Sequence, residues 1–241
     1  MKGDRVTVSG TRQGVGGAGR LIDLHTHTLL SDGELVPAEL ARRAEVAGYS
    51  VLGFADHVDT ALVETVVPVL VKAAADLSSA MAMQVLPGAE VTHCRPAHIG
   101  RTIERARALG ARVVLVHGET PSEPVLEGTN RAAIEAGCDI LAHPGLVTEG
   151  DARCAAERGV LLEVSGRKGH SLANGHVVQM ARRTGARVIF GSDAHAAGDL
   201  HTPADAEKVL ACAGLTQEEI AAALAAAAAC VQRALSRREK P

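Results

Sequence analysis

Leu21-Ile22-Asp23-Leu24-His25-Thr26-His27 is the stretch whose reading decides the fold. A short apolar run without helical spacing reads as a buried strand, and this one ends in two histidines one residue apart. Working outward, the same event recurs. Apolar runs at 50–54, 83–86, 113–116, 139–141, 160–164 and 187–190 alternate with amphipathic segments. Several of these segments close on glycine, at Ala47-Gly48, Leu109-Gly110, Ala136-Gly137 and Thr184-Gly185, as helix C-termini favour. Thr216 with Glu219 three residues on predicts a capping box that starts a long Ala-rich helix. Seven β/α repeats with no linker predict one α/β domain over residues 21–241, either a barrel or a doubly wound sheet. Residues 1–20 read as a Gly-rich extension. Its Gly14-Val15-Gly16-Gly17-Ala18-Gly19 has dinucleotide-loop spacing but precedes another strand pattern, not a helix, which excludes that reading.

The polar residues choose between the two architectures. Run one ends in His25 and His27, run two in Asp56-His57, run three in Glu90, run four in His117, run five in His143, and run seven in Asp193-Ala194-His195. Run six is followed by Ser165-Gly166-Arg167-Lys168-Gly169-His170, which offers basic groups. In a parallel barrel the C-terminal strand ends converge on one mouth. Six of them bringing imidazoles and carboxylates to one place describe a metal cluster. His25 and His27 point to the same side of a strand, with Cα atoms roughly 6.6 Å apart. Taken singly, His57, His117 and His143 each read better as a core imidazole donating to a carbonyl. Together, so many desolvated rings and carboxylates need a cation.

These residues carry a resemblance. His25-Thr26-His27-Thr28-Leu29-Leu30-Ser31-Asp32-Gly33, Ala55-Asp56-His57, Pro87-Gly88-Ala89-Glu90, His117-Gly118-Glu119, Ala142-His143-Pro144-Gly145 and Gly191-Ser192-Asp193-Ala194-His195 occur in the order of the PHP (polymerase and histidinol phosphatase) motifs. The chain resembles the small stand-alone, histidinol-phosphatase-like members. That resemblance implies a distorted (β/α)7 TIM-like barrel with a metal site at the C-terminal ends of its strands. It implies three divalent ions, Zn, Mn or Fe. His25, His27, Glu90 and Asp193 would hold one; Glu90, His117 and His143 a second; Asp32, His57 and His195 the third. Asp32 stands where some relatives carry histidine. With no thiolate in the set, ligand softness does not choose the metal.

Clustered divalent ions activate water and clamp the oxygens of an in-line displacement, which is the chemistry of phosphoester hydrolysis. The expected reaction is hydrolysis of a small phosphomonoester by a metal-bound hydroxide, histidinol phosphate being one candidate substrate. Asp193, His195 and His170 are the expected catalytic groups, and Arg167, Lys168 and Arg131 the expected substrate contacts. His93, His98, His176 and His201 read as surface residues. The alternatives are a nucleotide or oligonucleotide phosphodiesterase, an amidohydrolase-like C–N hydrolase and a non-catalytic metal-binding module. The first is disfavoured by composition, the second by Glu90 where a carboxylated lysine would be expected, and the third by the completeness of the ligand set.

Composition sets the outer limits. In 241 residues there are 25 Lys+Arg against 28 Asp+Glu, so no broad basic surface exists to bind extended nucleic acid by counterion release. Tyr49, Phe54 and Phe190 are the only aromatics apart from eleven histidines, which removes a base-stacking platform. Five scattered cysteines form no disulfide framework and predict a reduced, cytoplasmic protein. The start of the chain lacks the pattern of a signal peptide. The longest apolar run, 220–231, is about a dozen residues, short of a membrane span. Oligomeric state is left open.

Overall fold

The computed structural model describes residues 20–237, so the Gly-rich stretch and its GxGxxG spacing lie outside the described residues. All seven apolar runs form parallel strands. These are β1 (Leu21–Thr26), β2 (Tyr49–Phe54), β4 (Gln84–Val91), β5 (Val113–His117), β6 (Ile140–Ala142), β7 (Leu161–Ser165) and β8 (Val188–Gly191). A two-residue strand, β3 (His57–Val58), adds a piece the apolar runs did not reveal. Sheet order is β1-β2-β4-β5-β6-β7-β8. The first half of β4 pairs with β2, while Glu90 and Val91 pair with His57 and Val58 of β3. The ring closes through Thr26 opposite Ala194, with Asp193 N donating to His25 O (2.9 Å). It is an α/β TIM-like barrel. Glu90 lies inside the eight-residue β4 and not after it.

Helices α1 (Pro37–Ala47), α2 (Val63–Ala80), α3 (Pro96–Ala108), α4 (Thr129–Glu135), α5 (Glu149–Arg158), α6 (Asn174–Thr184) and α7 (Pro203–Cys212) cover the outside. Their starts follow local chemistry. Proline occupies the first turn of α1, α3 and α7, where no N–H is needed, and Thr148 caps α5 by accepting from Asp151 N. The C-terminal glycines Gly48 and Gly185 take the left-handed conformation that ends α1 and α6.

Period-two alternation sorts the strands between two cores. Val114, Val116, Leu162 and Val164 face the helices and pack with Leu40, Leu70, Ile99 and Ile134. Val113, Leu115, Ile140, Leu161 and Ile189 face inward. That inner core is sealed at the floor by α8 (Gln217–Ser236), through Ala226, Ala227, Cys230, Val231 and Ala234. Small side chains let the helix approach the strands closely. Thr216 and Glu219 form the expected capping box, Thr216 N donating to Glu219 Oε2 at 2.8 Å. The apolar run expected to fall short of a membrane span belongs to this 20-residue helix, which by length and composition alone could cross a bilayer; here its apolar side lies on the barrel floor. The extra length comes from flanking residues that helical periodicity absorbs.

Candidate metal centre

Strand parity brings Glu90, His117 and Glu163 inside the barrel, each two residues beyond an inward apolar side chain or glycine. Two other ligand positions need the parity to be broken. Between Asp23 and Thr26, β1 spends three steps against two on β2 (Leu52 to Phe54), and this extra residue turns His25 inward directly after the inward Leu24. His143 follows the inward Ala142 and is re-aimed by a left-handed backbone (φ 27°). Asp193 (φ 54°) and His93 (φ 50°) are the other non-glycine residues with positive φ among the described residues. Such conformations cost about 1–3 kcal/mol each and persist where surrounding structure enforces them.

The donor atoms are spaced as ligands of an ion, not as hydrogen-bond partners. For bonds of 2.0–2.1 Å, the edges of a tetrahedral shell are about 3.3 Å. His25 Nε2 lies 3.5 Å from both Glu90 Oε2 and Asp193 Oδ1, and His27 Nε2 lies 3.6 and 3.2 Å from the same two oxygens. His143 Nε2 is 3.4 Å from Glu90 Oε1, the other carboxylate oxygen. Asp32 Oδ1 is 3.5 Å from His57 Nε2 and 3.2 Å from His195 Nε2. His117 stands edge-on to His143, with centroids 4.4 Å apart. All nine residues expected as ligands therefore line one mouth, and all but Asp32 and His57 are buried.

Burial makes a bound cation the physical answer. His25 Nε2, both nitrogens of His27 and both oxygens of Glu90 are buried without a hydrogen bond. His57 Nδ1 comes within 2.8 Å of Glu90 Oε2, but its hydrogen bond runs to Thr92 Oγ1 at 2.6 Å. Burial opposes charge on His25 and His57, yet Glu163 and Glu90 outweigh it at His25, and Glu90 and Asp32 do so at His57. His25 is held well above the ordinary imidazole pKa, and His57 is raised to about 10. His27, dominated by burial, is pushed down to about 3. Ligation needs neutral rings, so an entering ion displaces the protons on His25 and His57. The residues present thus fit a cluster of borderline divalent ions.

A supporting shell fixes the ligands. Glu163 Oε1 lies 2.6 Å from His25 Nδ1, and its other oxygen accepts from His143 N at 2.9 Å. Gly191 makes the room, since a Cβ there would overlap the Glu163 carboxylate. Asp56 ties down the loop after β1 by accepting from Thr28 N (2.9 Å) and Ser31 Oγ (2.8 Å). Run six, read for the basic groups that follow it, also carries Glu163 at its centre; the signal was a lone carboxylate within Leu161-Leu162-Glu163-Val164.

The remaining expected residues divide. Arg167 faces the cluster, with Nη1 2.6 Å from His195 Nδ1 and 3.2 Å from Asp193 O. His170 is buried, stacked on His143 (centroids 4.0 Å), with Nε2 3.6 Å from Asp193 Oδ2 and Nδ1 2.7 Å from Thr120 Oγ1. Lys168 is exposed on the same loop. Arg131 is engaged by Asp151 of α5 at 2.8 Å and is not brought to the cluster. Of the histidines read as surface residues, His176 donates to Val147 O (2.8 Å) and His201 packs edge-on to Phe190. His98 lies in α3. His93 instead meets Glu123, 3.1 Å away, at the rim of the mouth, a pairing the sequence reading missed.

No family profile matches the chain. Uncharacterized protein MJ1295 of Methanocaldococcus jannaschii is 40% identical over 200 residues, covering 82% of this chain and 92% of that protein. Among solved structures, a chain of an archaeal ribonuclease P bound to mature tRNA superposes with a TM-score of 0.69 at 14% identity, over 90% of this chain and all of that one. The histidinol phosphate phosphatase of Lactococcus lactis, complexed with zinc, L-histidinol and phosphate, has a TM-score of 0.56 at 15% identity, over 81% of this chain and 94% of that one. Likeness at that identity speaks for the fold, and the 40% match for the family. The chain belongs to the same family as protein MJ1295 and shares its fold with the histidinol phosphate phosphatase and the ribonuclease P chain.

Proposed function

We propose that the protein is a metal-dependent hydrolase of phosphate esters, acting in the cytoplasm on a small phosphomonoester. The observation that carries this reading is the meeting of two features at one mouth: ligand spacing for a multi-ion cluster, and the Arg167 guanidinium against Asp193 and His195 on its edge. Bound divalent ions would supply charge neutralisation and an activated water. Arg167, at the edge of the cluster beside Asp193 and His195, would take a phosphate oxygen by charge-assisted hydrogen bonding. Lys168, exposed on the same loop, would add attraction for the dianion without fixing it. Burial depresses His170 to about 4, leaving its ring neutral at pH 7, so its Nε2 can take up a proton beside Asp193. The Asp193 carbonyl orients Arg167 by accepting from its Nη1 at 3.2 Å, while the Asp193 carboxylate serves the cluster.

The C–N hydrolase alternative would bridge its ions with a carboxylated lysine, and no lysine is buried among the described residues. The test is a substrate panel with Zn- and Mn-loaded protein: phosphomonoesters including histidinol phosphate, a phosphodiester, and an N-acyl amino acid. Phosphomonoesters should be turned over fastest. Amide hydrolysis without phosphoester hydrolysis overturns the reading. With the best phosphoester, Arg167→Ala should raise KM and lower kcat/KM by roughly 10- to 150-fold, the loss of one charge-assisted contact, with metal content unchanged.

A further inference from the structure

The loop after β7 brings Arg167 to the mouth, yet the Arg167 side chain is only lightly held there. Nη1 donates to Asp193 O at 3.2 Å, and Nε lies 3.7 Å from Asp193 Oδ2. His195 Nδ1, 2.6 Å from Nη1, faces the same carbonyl at 2.9 Å; as a donor to it, this nitrogen cannot also accept from the guanidinium. The position of Arg167 therefore depends on the backbone that carries it, which leaves β7 through Gly166. Gly166 N donates to Gly191 O at 2.8 Å, and an imidazole from the loop between β8 and α7 occupies the place of a side chain. A Cβ at Gly166 would lie 2.8 Å from His201 Cε1 and 3.1 Å from its Nε2. Gly166 is not among the glycines with positive φ, so it is the ring and not the backbone conformation that excludes a side chain.

His201 is itself fixed. Its Nδ1 donates to Asp199 O at 2.8 Å, and its ring stands edge-on to Phe190 with centroids 5.4 Å apart. Asp199 in turn holds the ligand segment before it, its Oδ2 accepting from His195 N (3.0 Å) and Ala196 N (2.8 Å). One short loop thus carries a metal-ligand residue, a clamp for it, and a ring seated against the residue before Arg167. From these contacts we propose that His201 is a positioning residue for the substrate-binding arginine. Its ring bears on Gly166 and sets the path along which the next residue reaches the mouth. Phosphate binding then depends on a side chain outside the ligand set. The inference rests on the reading of Arg167 as the phosphate contact. Charge-assisted hydrogen bonds are short and directional, so a shift of about 1 Å in the backbone at this point is costly.

The test reads phosphate binding as well as turnover. Inorganic phosphate binding, by equilibrium dialysis, and hydrolysis of the best phosphomonoester would be measured on zinc-loaded wild type, His201→Ala, Gly166→Ala, the double variant of these two, and Arg167→Ala. Bound zinc and circular dichroism check each protein. His201→Ala removes the ring from its seat, and Gly166→Ala pushes it off. Each should raise the phosphate Kd and KM by roughly 10-fold, with kcat within about 3-fold of wild type and zinc content unchanged. In the double variant the added methyl fills part of the space the ring left, so it should bind phosphate better than Gly166→Ala alone. A merely structural role would lower stability without that reversal. Wild-type phosphate affinity and KM in His201→Ala, beside a loss in Arg167→Ala, overturn the inference and leave the phosphoester reading standing. Losses that add in the double variant overturn it too. If His201→Ala does not fold, Gly166→Ala alone decides, and wild-type phosphate affinity there overturns the inference. Unchanged phosphate binding in Arg167→Ala removes the arginine from the phosphate and overturns the inference together with its premise.

Discussion

Each end of the barrel buries a carboxylate, and the two are satisfied in opposite ways. On the floor, Asp139 accepts from Val114 N (2.9 Å) and Arg107 Nη2 (3.3 Å) and forms a fork with Arg237, which follows α8. The protein itself supplies the countercharge, and the result is a clasp holding the C-terminal helix over the inner core. At the mouth, Glu90 is fully buried and neither oxygen accepts a hydrogen bond. Around it stand histidines, which carry charge only when protonated. Full burial by itself would push Glu90 up, but charged His25 and His57 hold it well below the usual carboxylate range. A floor built for stability pairs its charge with arginine, which stays protonated. A mouth built for a cation surrounds its charge with groups that can give up their protons.

The largest expected effect is at the mouth. Glu90→Gln keeps the shape and removes the charge shared by the ligand groups. Turnover should fall by about 10²–10³-fold or more, and bound metal by at least one ion per chain. Activity and metal content near wild type would break the contrast with Asp139. On the floor, Asp139→Ala should lower unfolding free energy by about 2–4 kcal/mol in denaturant titrations, less than for a fully buried pair because both guanidinium groups reach solvent. Metal content of the folded protein should not change. If metal is lost with stability, the two ends are not independent.

Glu163 sharpens the comparison, being a buried carboxylate at the mouth that is hydrogen-bonded. Glu163→Gln, or Gly191→Ala, which displaces the same carboxylate, should weaken zinc binding by about 10- to 100-fold through misorientation of His25 and His143. An unchanged zinc affinity in both would make Glu163 a bystander. The smallest effect belongs to the exposed cap of α8. Hydrogen bonds from Arg182 and Thr216 lower Glu219 from 4.5 to about 2. A depressed carboxylate contributes stability above its unfolded pKa and loses it as pH falls. The difference in Tm between wild type and Glu219→Gln should therefore be visible at pH 6 and narrow as pH drops from about 4.5 towards 2. A difference that widens with acid would contradict the assignment.

Much of this was legible in the chain because strands bury short apolar runs and parallel strands end together. Seven runs predicted seven strands, and the residues at their ends predicted the mouth. Glu90 was legible as a residue of the mouth, though not as a strand residue, since Pro87 and Gly88 look like a stop and are accommodated where β4 changes neighbours from β2 to β3. Arg131 read as a substrate contact because α4 leaves the mouth, but Asp151 on the adjacent α5 takes its guanidinium. His93 read as a surface residue because nothing near it in sequence hints at Glu123, thirty positions later.

By itself, then, the sequence determined the repeat, the helix caps and the gathering of imidazoles and carboxylates at the strand ends. These depend on neighbours within a few residues and on the fixed period of a strand. Only the tertiary structure decided the extra residue in β1 that turns His25 inward, the left-handed turn at His143, the room beside Gly191 for Glu163, and the seating of α8 on the floor. Each of these is a bargain between segments far apart in the chain. Local propensity is indifferent or opposed to it, and only the packing of the closed barrel supplies the energy that enforces it.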